Sequence, residues 1–309
     1  MEVKRVGILR GGENNYEASL REGGEIIFQI VSHLFEKWKP IDIFIDRSGI
    51  GHVGGVPVSI SELSQKADVF WDTTRMDIYL KLKDSPVVNV SGGISSFSEK
   101  SRKMLSEHMK NLGINIPRHI LLPSYQKDFD GPLETYATKK AKEVFEKFSP
   151  PWKFRLFPGT KKKEIRLIKN FSELAIAIIE AGKRGKSILV EEFVNGSRGT
   201  AHSVRGFRGK DIYVFSSLPD RRARDKEMSE NFKNIKEKEQ LTKLVKSLHE
   251  YIPLSYYINA GFVLNQKRGA FLEDLEFSPD FEENSHFIES CNAIGVKPHD
   301  VIEHILNQY

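Results

Sequence analysis

Residues 269–279 read Gly269-Ala270-Phe271-Leu272-Glu273-Asp274-Leu275-Glu276-Phe277-Ser278-Pro279, and this stretch decides the fold. Its apolar start predicts a buried strand that runs directly into three acidic residues. Because side chains alternate between the faces of a strand, Asp274 and Glu276 point to one side and Leu275 points into the core. Two carboxylates on one face repel each other unless a cation lies between them, and Mg²⁺ prefers such ligands. The alternative is an edge strand with a solvated acidic face.

Other segments extend this pattern in both directions along the chain. After Ser278-Pro279 come a polar loop with Ser285 and two predicted helices, the second over residues 298–306. Upstream, residues 188–196 (Ile-Leu-Val-Glu-Glu-Phe-Val-Asn-Gly) form an apolar strand that ends in a glycine. Residues 6–12 (Val-Gly-Ile-Leu-Arg-Gly-Gly) give a strand and a glycine turn before a helix near Glu17. In this order, the segments resemble the D-alanine–D-alanine ligases of the ATP-grasp superfamily over nearly the whole chain.

The fold class follows from the resemblance together with the order of the elements. A strand over residues 3–9, a helix from Glu17 to about Trp38 and a second strand over residues 41–45 predict a parallel α/β lobe. Further along, we predict helices over residues 63–66 and 241–251 and a strand over residues 152–157. We therefore expect an α/β and α+β protein, in which an N-terminal parallel α/β lobe is followed by a two-lobed ATP-grasp fold. The expected domains are 1–96, 97–187 and 188–309. Residues 49–54 match G-x-G-x-x-G, but the extended Val56-Pro57-Val58 follows them, so we predict a hairpin and not a dinucleotide site.

Composition narrows the class of protein. The 309 residues are 39% hydrophobic and 29% charged, which is typical of a soluble globular protein. The net charge of +5 is mild and its basic residues are scattered, so binding of nucleic acid is not expected. The single cysteine, Cys291, excludes an internal disulfide and is expected to be buried. The nine histidines show no metal or triad spacing and are expected at the surface or at helix caps. We see no signal peptide or membrane helix and expect a cytoplasmic protein.

The resemblance implies ATP and Mg²⁺ (or Mn²⁺) as cofactors, with the nucleotide held between two lobes. Lys100, which follows Glu99, would contact the phosphates, although a solvated lysine in the first turn of a helix is the alternative. Lys153 lies on the strand before the expected phosphate loop, and Arg155 on the same face could serve instead. The loop itself, residues 158–163, departs from the family because it has one glycine and three lysines. It could bind phosphate through point charges or simply be an exposed basic loop.

The strand over residues 188–194 would bind the adenine. By resemblance, backbone groups from Glu191 through Glu192 to Val194 pair with the adenine edge, and the Glu191 carboxylate accepts from the amino group. Arg198 stands where the family has an acid that binds the ribose, so this contact departs from the family pattern.

The metal ligands implied by resemblance are Asp274 and Glu276, which replace a glutamate and an asparagine. The neighbouring strand, residues 257–261, lacks the family's arginine and aspartate, and Asn259 stands in place of the arginine. That arginine stabilises developing negative charge, and the loss of such a donor typically lowers the rate by about 10²–10³.

The substrate side retains Glu17, and Ser285 matches the serine that binds the substrate carboxylate. The first hypothesis is an ATP-dependent carboxylate–amine ligase that forms an acyl phosphate and acts on small-molecule substrates, amino acids by resemblance. The second is a catalytically inactive homologue that binds a nucleotide or a protein. A weaker third hypothesis, a nucleic-acid binder using residues 161–163 and 221–224, lacks interleaved aromatic residues. A membrane partner is not expected, and a homodimer is left open.

Overall fold

The computed structural model describes residues 3–12, 16–74, 82, 85–88, 99–157, 165–215, 230–231, 235–253, 255–281 and 285–309, with the backbone alone at 60, 99–103, 157 and 230–231. The chain divides into two compact units. The first unit comprises Met1–Gly93, Arg198–Gly261 and Asp274–Tyr309, and the second comprises Ile94–Ser197 and Phe262–Glu273. This division by compactness does not test the three domains expected from the sequence (1–96, 97–187, 188–309), which stay a prediction.

The N-terminal part of the first unit is a six-stranded sheet with the strand order β4-β3-β2-β1-β5-β6. Its strands are β1 (Lys4–Gly11), β2 (Trp38–Ile45), β3 (Gly51–Val53), β4 (Val56–Val58), β5 (Val69–Asp72) and β6 (Val87–Val88). β1 pairs in parallel with β2 and β5, whereas β3 and β4 form an antiparallel hairpin. Helix α1 (Tyr16–His33) buries Ile26 and Ile30 in the same core cluster as Val6 and Ile8 of β1. The predicted parallel lobe and hairpin are therefore confirmed.

The second unit is built on a four-stranded antiparallel sheet with the order β10-β9-β11-β8. Helix α2 (Ile60–Leu63) still belongs to the first unit. The second unit then contains α3 (Glu99–Asn111), β7 (Ile114–Asn115), β8 (His119–Leu122), α4 (Lys127–Asp130), α5 (Leu133–Lys147), β9 (Trp152–Phe157), β10 (Arg166–Ile168), α6 (Phe171–Lys183) and β11 (Ser187–Glu192). Trp152 and Phe154 of β9 point into the core formed with α5 and α6. Because side chains alternate along a strand, Lys153 and Arg155 lie on the opposite face of this sheet.

The remaining elements begin with β12 (Ser197–Arg205), and a further sheet has the order β13-β12-β15-β16-β7. The other elements are β13 (Ile212–Val214), β14 (Glu230–Asn231), α7 (Ile235–Tyr251), β15 (Tyr257–Asn265), β16 (Gly269–Glu276), α8 (His286–Ala293) and α9 (Pro298–Leu306). Strands β15 and β16 are joined by a short turn. Phe262–Glu273 of this hairpin belongs to the second unit, and the rest of both strands belongs to the first. Leu275 of β16 is fully buried, as its predicted position on the strand requires.

The sequence misplaced three helix boundaries. The first helix was expected to reach about Trp38, but α1 ends at His33, and the N–H groups of Lys37 and Trp38 donate to the carbonyl of Leu34. Trp38 then opens β2, where Pro40 could not continue a helix. A short helix predicted over residues 63–66 is instead α2, which begins at residue 60. Helix α7 begins at Ile235, six residues earlier than Leu241.

The boundary of α2 has a local cause that the sequence contained. The Ser59 N–H donates to the Glu62 carboxylate over 2.8 Å, and the Glu62 N–H donates to the Ser59 hydroxyl over 3.3 Å. This reciprocal pair is a capping box, whose Ser-x-x-Glu spacing marks the start of a helix.

Within the described ranges, no helix is both long and apolar enough to cross a membrane.

Candidate functional site

The first unit carries a polar face on the hairpin formed by β15 and β16. The Asn259 Nδ2 donates to the Glu276 Oε2 over 3.1 Å across the two strands. A Cβ atom added to Gly261 would lie 3.3 Å from the Cβ of Asp274, so these two residues also oppose each other. Alternation therefore places the Asn259 amide and the carboxylates of Asp274 and Glu276 on one face, as the sequence predicted for the two acids.

One atom of this face lacks a partner. Asn259 is 6% exposed, and its Oδ1 has no hydrogen-bond donor within the described part of the chain. The hydrogen bond from Nδ2 to Glu276 fixes the orientation of the amide, and the atom left without a partner is the amide oxygen. A buried polar atom without a partner costs about 1–3 kcal/mol, and each such atom calls for an explanation.

The chemistry of this donor set fits a hard divalent cation. Two carboxylates and one amide oxygen are ligands that Mg²⁺ and Mn²⁺ accept, and the orphaned oxygen is an acceptor of the required kind. The described residues contain no group of three or more His, Cys, Asp or Glu side chains with metal-binding geometry. Among the described side chains, the amide oxygen of Asn259 is a candidate for a third protein ligand.

The second unit has two ion pairs on the face of its sheet opposite the core of α5 and α6. Lys153 pairs with Glu273, and Arg155 pairs with Glu191. The side chains of Lys153 and Glu273 are 12% and 14% exposed, and those of Arg155 and Glu191 are 12% and 6% exposed. In the ladder between β9 and β11, Glu191 lies directly opposite Lys153. Both cations considered for the phosphates thus lie on one face, and each already has a carboxylate partner.

Glu192 is held by two arginines. The Arg118 Nε donates to its Oε2 over 2.9 Å, while Arg268 donates to both carboxylate oxygens. Burial raises the pKa of Glu192, but the hydrogen bonds and charges of Arg268 and Arg118 outweigh it and lower the pKa to about 2. The Glu192 carboxylate is therefore ionised and has a structural role in the sheet.

The backbone predicted to contact adenine is partly engaged. The Glu192 N–H donates to the Arg118 carbonyl over 2.8 Å, and the Phe193 N–H donates to the Pro151 carbonyl over 3.1 Å. Val194 is buried against Val263 and Phe271. An adenine could pair with the two engaged N–H groups only if these hydrogen bonds opened.

The predicted substrate residues belong to helix starts in the first unit. Glu17 is exposed in the first turn of α1. Ser285 is the N-cap of α8, where its hydroxyl accepts from the Ile288 N–H over 3.2 Å and donates to the Asp280 carbonyl. The Ser285 hydroxyl proton is thus engaged, and it would have to change partner to bind a substrate carboxylate.

The remaining predicted residues are placed by their elements. Lys100 lies in the first turn of α3, and its side chain is outside the described part. Arg198 is half-buried on β12. The predicted phosphate loop (158–163) and most of the charged segment 221–238 lie outside the described residues.

Three histidines correct the expectation of surface or capping positions. His202, His249 and His286 are buried. The His202 ring lies 2.6 Å from the Tyr257 hydroxyl through Nδ1 and 2.7 Å from His286 Nδ1 through Nε2. Their sequence spacing gave no signal, because residues 84 positions apart become neighbours only in the folded chain.

Two other side chains of the first unit have clear surroundings. Cys291 is buried, as expected from the sequence, and burial raises the pKa of its thiol to about 12. Sequence reasoning also missed Glu22 of α1, which accepts a hydrogen bond of 2.6 Å from Ser278. Ser278 follows Glu276 by two residues, so this contact fixes the chain just beyond the acidic strand.

Comparison with known proteins identifies the fold. No protein-family profile and no curated protein sequence matches the chain. Among solved structures, D-alanyl-alanine synthetase A from Vibrio cholerae has a TM-score of 0.69 and 15% identity, covering 100% of this chain and 98% of the other. The VanG D-Ala:D-Ser ligase from Enterococcus faecalis has a TM-score of 0.69 and 15% identity, with 99% of both chains covered. The D-alanine–D-alanine ligase from Bacillus anthracis complexed with ATP has a TM-score of 0.68 and 15% identity, covering 99% and 97%.

The chain therefore has, over its full length, the fold of these D-alanine–D-alanine ligase structures, an N-terminal α/β lobe followed by a two-lobed ATP-grasp fold. The resemblance expected from the sequence is confirmed at the level of the fold, and the 15% identity shows that this chain is divergent.

Proposed function

We propose that this protein is an ATP-dependent carboxylate–amine ligase that uses Mg²⁺ or Mn²⁺. The observation that carries the proposal is the hairpin face of the first unit, where Asp274, Glu276 and the orphaned oxygen of Asn259 form a set of oxygen ligands. Such ligands suit the cation that accompanies a nucleotide triphosphate. The solved structures that share the fold include a ligase complexed with ATP, which supports the same activity.

The proposed reaction has two steps. A substrate carboxylate oxygen attacks the γ-phosphorus of ATP, so an acyl phosphate forms and ADP leaves. The nitrogen of an amine then attacks the acyl carbon, phosphate leaves, and the nitrogen loses its proton as the amide forms. Amino acids are the proposed substrates by resemblance. The cation, when bound, would neutralise charge on the phosphate oxygens.

The residues of this chain have distinct proposed roles. The oxygen atoms of Asp274, Glu276 and Asn259 hold the cation. Asn259 stands where the family has an arginine. In the second unit, Lys153, with Lys100, contacts the phosphates, and the strand from Glu191 to Val194 lies along the adenine. Glu17 and Ser285 contact the amino-acid substrate, while Arg198 lies near the ribose. The protein acts on small molecules in the cytoplasm in this proposal.

A catalytically inactive homologue is the second candidate. One observation favours it, namely that ion pairs already engage Lys153 and Arg155. The resemblance adds that Asn259 stands where the family has an arginine. Such a protein would bind nucleotide or a protein partner without ligation. The two candidates differ in one measurable step, the formation of the acyl phosphate.

Positional isotope exchange tests that step directly. ATP labelled with ¹⁸O in the β,γ-bridge is incubated with the protein, Mg²⁺ and single amino acids. An acyl-phosphate ligase scrambles the label into the non-bridging β-positions, because ADP forms reversibly in the site. Asp274→Asn should abolish scrambling with the fold intact, whereas the matched control Asp211→Asn, at an exposed position of the same unit, should not.

Thermal unfolding separates the two candidates when scrambling is absent. Stabilisation by Mg²⁺-ATP without isotope scrambling across the amino acids would favour the inactive homologue, because ligand binding to the native state raises stability. If neither stabilisation nor scrambling occurs at millimolar nucleotide, the proposal is wrong.

A further inference from the structure

Two cations and two carboxylates form a charge cluster on one face of the sheet in the second unit. Its members are Lys153 and Arg155 of β9, Glu191 of β11 and Glu273 of β16. All four side chains are between 6% and 14% exposed, so water screens them less than it screens a surface pair. Their formal charges cancel.

The four partners divide into two pairs with different origins. Arg155 and Glu191 come from adjacent strands, and both the Nε and Nη2 of Arg155 donate to the same carboxylate oxygen. Lys153 lies directly opposite Glu191 in the ladder, yet its ammonium contacts Glu273, which is 120 residues away in sequence. Lys153 is therefore neutralised by a residue that enters from β16.

The pairing of Lys153 has a consequence for any anion that needs its ammonium. A phosphate that approaches the Lys153 ammonium meets the Glu273 carboxylate, which is already paired with it. The two negative groups repel each other strongly because the site is poorly hydrated. The phosphate can bind only if Glu273 gives up Lys153 and is left without this cation, which is costly for a mostly buried carboxylate. An uncharged nucleoside meets no such competition.

We propose that Glu273 is a specificity-determining residue of the nucleotide site, which competes with the ligand's phosphates for Lys153. This inference rests on the proposed function where it places phosphates at Lys153. It predicts that Glu273 weakens binding in proportion to the negative charge at that lysine, and leaves the adenosine part unaffected. The opposite possibility is that Glu273 orients Lys153 for the ligand, in which case its removal weakens binding.

The test is a charge series measured by isothermal titration calorimetry on the full chain. The ligands are Mg²⁺-ATP, Mg²⁺-ADP, adenosine and inorganic tripolyphosphate, and the variant is Glu273→Gln, which keeps the size of the side chain. We expect the affinity for ATP and tripolyphosphate to rise on the order of tenfold, the lower end for close charge pairs. The affinity for adenosine should change by less than about twofold, since adenosine carries no charge.

Three further variants, one of them a double variant, control the result. Glu180→Gln removes an exposed carboxylate of the same unit that pairs with Arg166, so it makes the same chemical change and should leave all affinities unaltered. In Lys153→Met, the additional change Glu273→Gln should give no further gain, because the contested cation is gone. Circular dichroism and thermal unfolding confirm that each variant is folded.

The outcomes separate this inference from the proposed function. If the wild type binds Mg²⁺-ATP and Glu273→Gln gives no gain or a loss, the inference is overturned while the proposed function stands. If no form binds Mg²⁺-ATP or adenosine, the proposed function is overturned. Tripolyphosphate then still tests the competition at Lys153, since a gain in Glu273→Gln supports it and an unchanged affinity refutes it.

Discussion

Acid should destabilise the first unit through one buried histidine, His249. The ring is fully buried, with Nδ1 2.7 Å from the Ser203 hydroxyl and Nε2 2.9 Å from the Ser255 carbonyl oxygen. A carbonyl oxygen only accepts, so Nε2 carries the proton and Nδ1 accepts from Ser203. The neutral ring thus has both nitrogens satisfied, whereas a second proton would reverse the hydrogen bond with Ser203 and place a positive charge in a buried site.

The magnitude follows from the pKa of this ring. Burial lowers the pKa of His249 from 6.5 to about 4, because it outweighs the hydrogen bond to the Ser255 carbonyl, and the charge of Arg205 lowers it further. The unfolded chain binds a proton below about pH 6.5, whereas the folded chain does so only below about pH 4. Stability is therefore complete above pH 6.5 and is lost as the pH falls toward 4. A difference of about 2.5 pKa units corresponds to about 3 kcal/mol.

The assay compares the wild type with His249→Gln, whose amide can donate to a carbonyl and does not titrate. The free energy of unfolding is measured with urea between pH 4 and 7.5, and hydrogen exchange at the α7 amides reports on the unit that holds residue 249. The wild type should lose about 3 kcal/mol more than the variant across this range. His108→Gln, at an exposed position, is the control and should follow the wild type.

Parallel pH profiles for the wild type and His249→Gln would refute this reasoning. They would mean that the buried ring accepts its second proton at the same pH in the folded and unfolded chains. A shift in the midpoint at pH 7.5 with no change in the pH dependence would show only that the substitution affects packing.

Three other perturbations have clear expected outcomes. Because the pKa of Glu192 is lowered to about 2, this carboxylate stabilises the fold above pH 4.5, and the stabilisation is lost as the pH falls toward 2. Its size is about 1–2 kcal/mol, since the two arginines are half-exposed. Glu192→Gln should remove this acid sensitivity from the free energy of unfolding measured with urea. Gly196→Ala should lower the free energy of unfolding by about 2 kcal/mol or more, because φ is 149° and its Cβ would lie 2.3 Å from the Leu264 carbonyl oxygen, whereas Gly131→Ala meets no atom and should lose less. Gly261→Asp adds a carboxylate opposite Asp274 and should tighten Mn²⁺ binding by about tenfold in electron paramagnetic resonance titrations, and an unchanged affinity would mean that this face holds no cation.

The sequence predicted those features that depend on neighbouring residues. Alternation along β16 placed Asp274 and Glu276 on one face and Leu275 in the core, because a strand reverses its side chains at every residue. Strand β9 was predicted with its observed bounds, since Pro150-Pro151 stops the preceding helix. The end of α1 was missed because the helical periodicity of the apolar residues continues past the turn at Leu34.

Long-range partners could not be predicted from the sequence. The face of β9 that carries Lys153 was predictable, but its partner Glu273 comes from a strand far along the chain. The same holds for Glu192, whose two arginines lie 74 and 76 residues away. Periodicity specifies which way a side chain points, whereas its neighbour depends on how the strands are ordered in the sheet.

Two side chains that the sequence resemblance implies to be departures from the ligase pattern are in contact. By that resemblance, Asn259 stands in place of an arginine and Glu276 in place of an asparagine, and the two side chains are hydrogen-bonded to each other over 3.1 Å. A site without a function would gain stability from apolar residues at a buried strand pair, because the unpaired Asn259 oxygen costs about 1–3 kcal/mol. A bound cation would offset that cost by accepting the oxygen as a ligand. This exchange of polar residues on one face therefore favours a binding site that has been altered over one that has been lost.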